Sequence, residues 1–431
     1  MTGRGTRDRN GPTGYAPGGA GRVTFHRPRG IRIPPDAGLE RTFAGYDLDP
    51  ATRALCDPTT LFYDAFRLPG GDEAFFAGPP FVNLGDPIRV TVAGRGARFA
   101  VYRHPWGAAE RAVVLRVRLP RGLRRHPAPG VRIEFAAFAV TVAVEVPPCV
   151  PRERVRLMLG TMQRDNDPQW LLDWCRWHER VHDVRRVVVY DNGSADPEPL
   201  YADLAARIGA DLVVVRWPYR YGPARPMALK YVQTAALNHC RLLFGCGADW
   251  CINLDVDEYL CVGRGPPVAE RLARGERRAV VPLPSYVVPA LRSARGPRCF
   301  DSAQRCRAVA LRSPKYIYRP ARTAFNEVHN AAPGRPAALG LRARAGRVLR
   351  ALRLARASRS VLRAFRLGYR AGGRALAPRS AAAREPSLFF FHFRGLNTGW
   401  KVRQGVRPHD DGDDLVRDGR IEAMRAVLHA R

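Results

Sequence analysis

Along the chain the apolar positions follow two different rhythms. From about Ile31 to Val150 they form short runs broken by Pro and Gly, among them Ile88–Val92, Phe99–Tyr102, Ala112–Leu119 and Val131–Val146. Several are β-branched or alternate with Arg and Glu, as half-buried strands do. This predicts a β-rich N-terminal domain over residues 31–150, closed by Pro147-Pro148. From Val155 onward the rhythm changes. Val155–Gly160 reads as a buried strand, and Pro168–Val181 places Trp170, Leu171, Trp174, Cys175, Trp177, His178 and Val181 at helical spacing. Val187–Tyr190 is a second strand, and Pro197–Ile208 a second helix with a favourable Pro at its start. Leu212–Val215, Pro226–Phe244 and Trp250–Leu254 continue as strand, helix and strand. Such alternation with short connections predicts an α/β fold with a Rossmann-like, mostly parallel sheet over residues 151–334. Ligands of such sheets bind beyond the carboxyl ends of the strands. The polar stretches at those ends are Thr161–Asn166, Asp191–Asp196, Arg216–Arg220 and Asp255–Glu258.

The remaining segments have other characters. Residues 1–30 are rich in Gly, Arg and Pro without an apolar centre, so we expect a disordered tail rather than a secretory signal. Residues 335–385 form an Arg-rich insertion in which Val348, Leu349, Leu352, Leu354, Val361, Leu362 and Phe365 make a loosely amphipathic pattern. A basic helix lying on an anionic membrane and a solvated insertion both fit it. Residues 386–431 return to the α/β domain, with a strand at Leu388–Phe393 and a polar helix from about Arg417 to His429.

Charge changes this picture less than its size suggests. The 431 residues carry 71 basic and 39 acidic side chains, a formal charge of +32, which invites a nucleic-acid partner. Yet only Lys230, Lys315 and Lys401 among them are lysines. Arg usage so lopsided, beside abundant Ala, Gly and Pro, reflects a GC-rich coding bias, and it draws attention to the three lysines. The basic stretch holds only Phe365 and Tyr369 as aromatics, too few for a stacking platform, so nucleic acid is the weaker reading. No apolar run reaches the roughly 18 residues of a membrane span. Nine cysteines, odd in number and without a CxxC pair, suit a reduced cytoplasmic protein with buried thiols, which the basic insertion could hold at a membrane surface.

Two motifs carry chemistry. Asp255-Val256-Asp257-Glu258 follows the apolar run Trp250–Leu254, and unpaired acids buried at a strand end cost several kcal/mol. A divalent cation removes that cost, and oxygen ligands suit Mn²⁺ or Mg²⁺ bridging to phosphate. Asp191-Asn192-Gly193-Ser194-Ala195-Asp196 follows the second strand. It reads either as a plain turn or as a place where a carboxylate meets a base or ribose.

The ordered set of motifs from Leu157 to Leu260 resembles the GT-A glycosyltransferases, in particular those related to family 92 and similar family-2-like enzymes. The set runs from Trp174 and His178 through Tyr190-Asp191-Asn192-Gly193-Ser194-Ala195-Asp196, Ala236 and Cys240 to Ala248-Asp249-Trp250 and Leu254-Asp255-Val256-Asp257-Glu258-Tyr259-Leu260. Lys315-Tyr316-Ile317-Tyr318-Arg319-Pro320 with Val328-His329, and Phe391-His392-Phe393-Arg394 with Lys401, extend the likeness. It departs at Arg164-Asp165-Asn166-Asp167, where the family has a charged K-N-E turn. The resemblance implies transfer of a hexose from a nucleoside-diphosphate sugar, UDP being the expected nucleotide, to a hydroxyl of a glycan or glycolipid, with inversion. It implies a metal at Asp255, Asp257 and His392 (His329 the alternative), and donor contacts from Thr161, Asp191, Asn192, Ser194, Asp196, Lys315, Arg319 and Lys401. An inverting transfer needs a carboxylate base, for which Glu327, Asp301 and Glu258 are candidates.

One competitor is explicit. His178-Glu179-Arg180-Val181-His182 is a literal H-E-x-x-H, the zinc-binding face of a metallopeptidase. The extended form would need Gly and His where the chain has Arg185 and Val188.

Overall fold

The structure is a computed structural model. It describes residues 22–43, 46–103, 110–151, 153–263, 265–273, 276–289, 304–306, 309–334, 386–394 and 415–429. The Arg-rich insertion, Asp301 and Lys401 lie outside the described residues.

A nine-stranded sheet organises the molecule. In chain order its strands are β1 (Val23–His26), β2 (Val155–Gln163), β3 (Arg186–Asp191), β4 (Asp211–Arg216), β5 (Ala248–Asn253), β6 (Glu258–Val262), β7 (Val280–Val288), β8 (Val309–Tyr318) and β9 (Leu388–Phe393). Across the sheet the order is β1-β4-β3-β2-β5-β8-β7-β9-β6. The first five are mutually parallel; β8 runs antiparallel to β5, β7 to β8 and β6 to β9, while β9 is parallel to β7. The expected α/β sheet is therefore mainly parallel in its first half and mixed in its second.

The helices form where the pattern places them. Asp167 caps helix α1 (Pro168–His182) by accepting from the Gln169 N–H, and Pro168 occupies the first turn, where a missing N–H costs nothing. Its apolar stripe, Leu171, Leu172, Trp174, Cys175 and Trp177, is buried against the sheet. The Nε1 atoms of Trp174 and Trp177 donate to the carbonyls of Glu258 and Leu260 in β6, at 2.9 and 2.8 Å. Helix α2 spans Pro197–Ala206. Helix α3 spans Tyr231–Leu243, shorter than the predicted Pro226–Phe244 because its first residues form a separate 3-10 turn at Met227–Leu229. Helix α4 (Gly419–His429) packs on α1.

The described residues of 64–143 fold as β structure, in two four-stranded sheets that share one apolar core. One contains Asp64–Arg67, Glu73–Gly78, Val113–Arg118 and Phe99–Tyr102; the other contains Ala139–Ala143, Gly130–Glu134, Arg89–Val92 and Arg95–Gly96. Alternation explains how this sandwich docks. Val113, Leu115 and Val117 face the shared core, while Val114, with Phe66, Phe75 and Tyr102, joins the core beneath α3. The first sheet is thus buried on both faces, and α3 lies on it.

The expectation of a disordered tail over residues 1–30 needs correction. Val23–His26 pairs in parallel with Leu212–Val215 and forms the edge of the large sheet. A four-residue strand whose partner lies nearly 190 positions away leaves no local periodicity to find.

Candidate functional site

The chain order of the parallel strands reverses between β2 and β5, the position at which doubly wound sheets open a crevice. At its mouth lies a cavity of about 20 Å³, room for one water, lined in part by Gly160, Thr161, Gln233, Asn253 and Asp255. Thr161 Oγ1 is buried there without a hydrogen-bond partner. Among the described donor-site candidates, Thr161 is therefore the one with an open polar atom at the crevice.

The acidic turn stands beside it. Val256 is buried in the core and anchors the turn between β5 and β6. The Asp255 N–H donates to Glu258 Oε2 at 2.8 Å, and the Glu258 N–H donates to the Asp255 carbonyl at 2.9 Å. Lys315 reaches in from β8, its Nζ 2.9 Å from Asp255 Oδ2 and 3.1 Å from Glu258 Oε2. Its side chain is 1% exposed and that of Glu258 3%, whereas Asp255 keeps 35%. Asp255 is thus the member of the trio that a ligand can reach. Burial alone would lower the Lys315 ammonium, but Asp255 and Glu258 together raise it above its ordinary value. Burial pushes Glu258 up to about 7 against the pull of Lys315. Asp255 moves the other way: burial opposes its ionisation, and Lys315 holds it below the usual carboxylate range.

Asp257 faces a different partner. Glu258 and His392 are paired residues of β6 and β9, which brings His392 Nε2 to 3.7 Å from Asp257 Oδ2. Burial would lower this histidine, but the neighbouring Asp257 carboxylate raises it. Adjacent octahedral ligands with bonds of about 2.1 Å stand about 3.0 Å apart, so the Asp257 carboxylate and the His392 imidazole could share a divalent cation after closing by about 0.7 Å, a donor set that suits Mn²⁺ or Mg²⁺. Asp255 completes that set in chemistry but is turned toward Lys315. Among the described residues, Asp255, Asp257 and His392 do not bring all their ligand atoms within 4.8 Å of one another.

A second wall carries further groups. His329 has a buried Nδ1 without a partner, and burial together with the neighbouring Lys315 lowers it to about 4, so it is a neutral imidazole beside the acids. Glu327 is 8% exposed, and burial raises its carboxyl to about 7, with Arg111 of the sandwich, 3.9 Å away, pulling in the opposite direction. Tyr316 next to Lys315 donates its hydroxyl to the Glu327 carbonyl at 2.6 Å. Tyr221, which feels the charges of Asp255 and Lys315, donates to Gln233 Oε1 at 3.2 Å and has Lys230 Nζ 5.5 Å from its ring centroid. Two of the three lysines thus stand at this site, which their rarity had singled out. Arg111, Tyr221 and Gln233 carried no sequence signal, since each arrives from a distant segment.

Several expected donor contacts have other roles. The Asp191 oxygens already accept four bonds: from Gln163 Nε2 (3.0 Å) and the Tyr201 hydroxyl (2.7 Å) on one side, and from the Gly193 and Ser194 N–H groups (3.1 and 2.9 Å) on the other. These fill the carboxylate, which holds the loop rather than a ribose. Asn192 Nδ2 is spent on the carbonyls of Trp217 and Tyr219. Ser194 Oγ accepts from the Asp165 N–H. Asp196 lies at the N-terminus of α2 without a capping bond and is exposed. Arg319 is at the wrong end of its strand. Tyr316 pairs with Asn253 and Tyr318 with Cys251, so Arg319 lies about 10 Å back toward the amino end of β5. There its guanidinium sits 4.2 Å over the Trp250 ring and donates to the Glu276 carbonyl.

The H-E-x-x-H face is also accounted for. His178 Nδ1 bonds the Trp174 carbonyl at 2.8 Å, and its Nε2 accepts the Leu260 N–H at 3.2 Å. His182 Nε2 donates to the Leu260 carbonyl at 2.7 Å, and Glu179 Oε1 accepts from the Gly209 N–H at 2.9 Å. Burial, with His182 adjacent, lowers His178 to about 3, and burial lowers His182 to about 4. Both rings are neutral struts between α1 and β6, and their Nε2 atoms are occupied by Leu260.

No family model matches the sequence, and no curated protein matches it. Among solved structures the fold is similar to residues 1–349 of TarS from S. aureus in complex with UDP, at 13% identity over 39% of this chain and 47% of that one, with a TM-score of 0.22. It is also similar to a mycobacterial protein (17%, 42% and 57%, TM-score 0.24) and to HddC from Yersinia pseudotuberculosis (11%, 38% and 76%, TM-score 0.22). The likeness spans about half of the TarS fragment. Superposition this loose adds nothing to the geometry of the site.

Proposed function

We propose that this chain is a GT-A glycosyltransferase that moves a sugar from a nucleoside-diphosphate donor, a UDP-sugar by the motif resemblance, to a hydroxyl of a glycan or glycolipid with inversion. The observation that carries the reading is the Asp255–Glu258 turn at the sheet's switch point, with Lys315 and His392 converging on it from β8 and β9. Asp257 and His392 would hold Mn²⁺ or Mg²⁺, with Asp255 as the further carboxylate. When bound, that cation would supply positive charge to the departing diphosphate. Lys315 fixes Asp255 and keeps the acid cluster from repelling itself. Thr161 Oγ1 and the crevice between β2 and β5 would receive the nucleotide. Glu327 is the general base we favour. Its carboxyl near 7 is poised to take a proton at neutral pH, whereas Glu258 is enclosed by Lys315 and the Asp255 N–H.

The test is a screen of nucleotide sugars by thermal shift on the full chain, with and without Mn²⁺. At least one should raise the melting temperature only when metal is present, and Asp257→Asn should remove that rise with the circular dichroism unchanged. Absence of metal-dependent stabilisation by every nucleotide sugar would overturn the proposal.

A further inference from the structure

A second constellation lies away from the crevice, where the edge strand, the sandwich and α3 meet. His26 comes from β1, Asp64 from the sandwich and His239 from α3, and all three are buried. Asp64 Oδ2 stands 2.7 Å from His26 Nε2 and 2.9 Å from His239 Nε2. The outer atoms of Asp64 and His239 are tied back. Asp64 Oδ1 accepts the N–H groups of Arg29 and Ala65 at 3.2 and 2.8 Å. His239 Nδ1 meets the Tyr190 hydroxyl at 2.6 Å, and Cys149 lies near His26. Phe66, Trp217 and Phe244 pack around the rings.

Two imidazoles and one carboxylate aimed at a common point, with Asp64 and His239 held from behind by hydrogen bonds, is the arrangement that orients metal ligands. Among the described residues it is the group of three or more such side chains whose ligand atoms all lie within 4.8 Å of one another. We propose that His26, Asp64 and His239 bind a zinc ion that fastens the N-terminal strand and the sandwich to the α/β domain. Two nitrogens and one oxygen suit Zn²⁺, with a fourth position for water. Tetrahedral ligands at zinc bond lengths stand about 3.3 Å apart, so the cluster opens by about half an ångström to admit the ion. The ion takes the place of the Nε2 protons that now bind the rings to Asp64. The His239 proton moves to Nδ1, where it faces Tyr190, and the His26 Nε2 proton leaves to solvent. Because the three ligands come from segments 38 and 175 residues apart, loading would couple to folding.

The site stands independently of the proposed transferase chemistry, and so does its test. The full chain, purified without a polyhistidine tag, is dialysed and its metal measured by plasma mass spectrometry. One zinc per chain is expected, retained in Asp257→Asn, lost in His239→Gln, and accompanied by a higher melting temperature than the chelator-stripped protein. Because His239→Gln removes a fully buried side chain that the fold itself uses, the stripped wild type is also loaded with Co²⁺, which should give the intense visible absorption of a four- or five-coordinate nitrogen–oxygen site. Zinc well below one per chain together with no such Co²⁺ spectrum would overturn the proposal and leave a network joined by protons alone. Zinc that disappears in Asp257→Asn would overturn it too, by placing the ion at the crevice.

Discussion

Replacing Lys315 by Met removes the one ammonium that balances Asp255 and Glu258 while keeping most of the side chain's volume. Removing one partner of a buried ion pair costs about 3–5 kcal/mol, because the other is left charged without compensation. Two features place the expected loss at the lower end, about 3 kcal/mol. Asp255 is 35% exposed and can turn to water, and Glu258, already raised to about 7, can take up a proton. The second feature gives the experiment its sign. Without Lys315 the Glu258 pKa rises further above its unfolded value of 4.5. A carboxyl raised in the folded state favours folding below its unfolded pKa, and that contribution is lost as pH climbs through the folded pKa. The deficit of Lys315→Met should therefore be small near pH 5 and grow as pH rises above about 7, where the wild-type carboxyl ionises and that of the variant does not, so that it is clearly larger at pH 8. Urea unfolding followed by tryptophan fluorescence is a suitable assay, since Trp174 and Trp177 are bonded to the strand that begins at Glu258. Added Mn²⁺ should return part of the loss by supplying the missing positive charge. A loss below about 1 kcal/mol, or one equal at both pH values, would refute the assignment of Lys315 as the counter-charge of the acidic turn.

Glu327→Gln should lower kcat by about 10²–10⁴-fold with donor-induced thermal shift retained, and the wild-type rate should rise with pH through about 7 as the base ionises. In Arg111→Ala that rising limb should move to higher pH by about one unit, because the guanidinium 3.9 Å away favours the ionised carboxylate; an unmoved limb would separate the two residues. Asp191→Ala should destabilise the protein by more than about 2 kcal/mol, measured by urea unfolding, because it leaves Gln163, Tyr201 and two backbone N–H groups without their acceptor. His182→Ala should cost about 2–3 kcal/mol by the same measurement without changing metal content; loss of zinc would instead revive the peptidase motif.

The sequence by itself determined what is local. The β-α-β rhythm from Val155 to Asn253 was legible because an amphipathic helix and a buried strand each write their period into neighbouring residues. The placement of Asp255–Glu258 at a strand's carboxyl end followed from the same rhythm. Tertiary structure decided everything that depends on pairing. Val23–His26 became a sheet edge, and β8, β7, β9 and β6 completed the sheet in an order that no local pattern encodes. Register turned the equivalent-looking Lys315 and Arg319 into a counter-charge at the site and a stack on Trp250 at the far end, since four residues of strand span about 13 Å. Asp191 and Asp255 read alike as acids after strands, yet one is saturated by four donors and the other is left partly open. His26, Asp64 and His239 are unrelated in sequence and meet only because the edge strand, the sandwich and α3 close on one another. The sequence supplies the chemical groups in chain order, and long-range packing decides which of them share a site and which lone pairs remain to do chemistry.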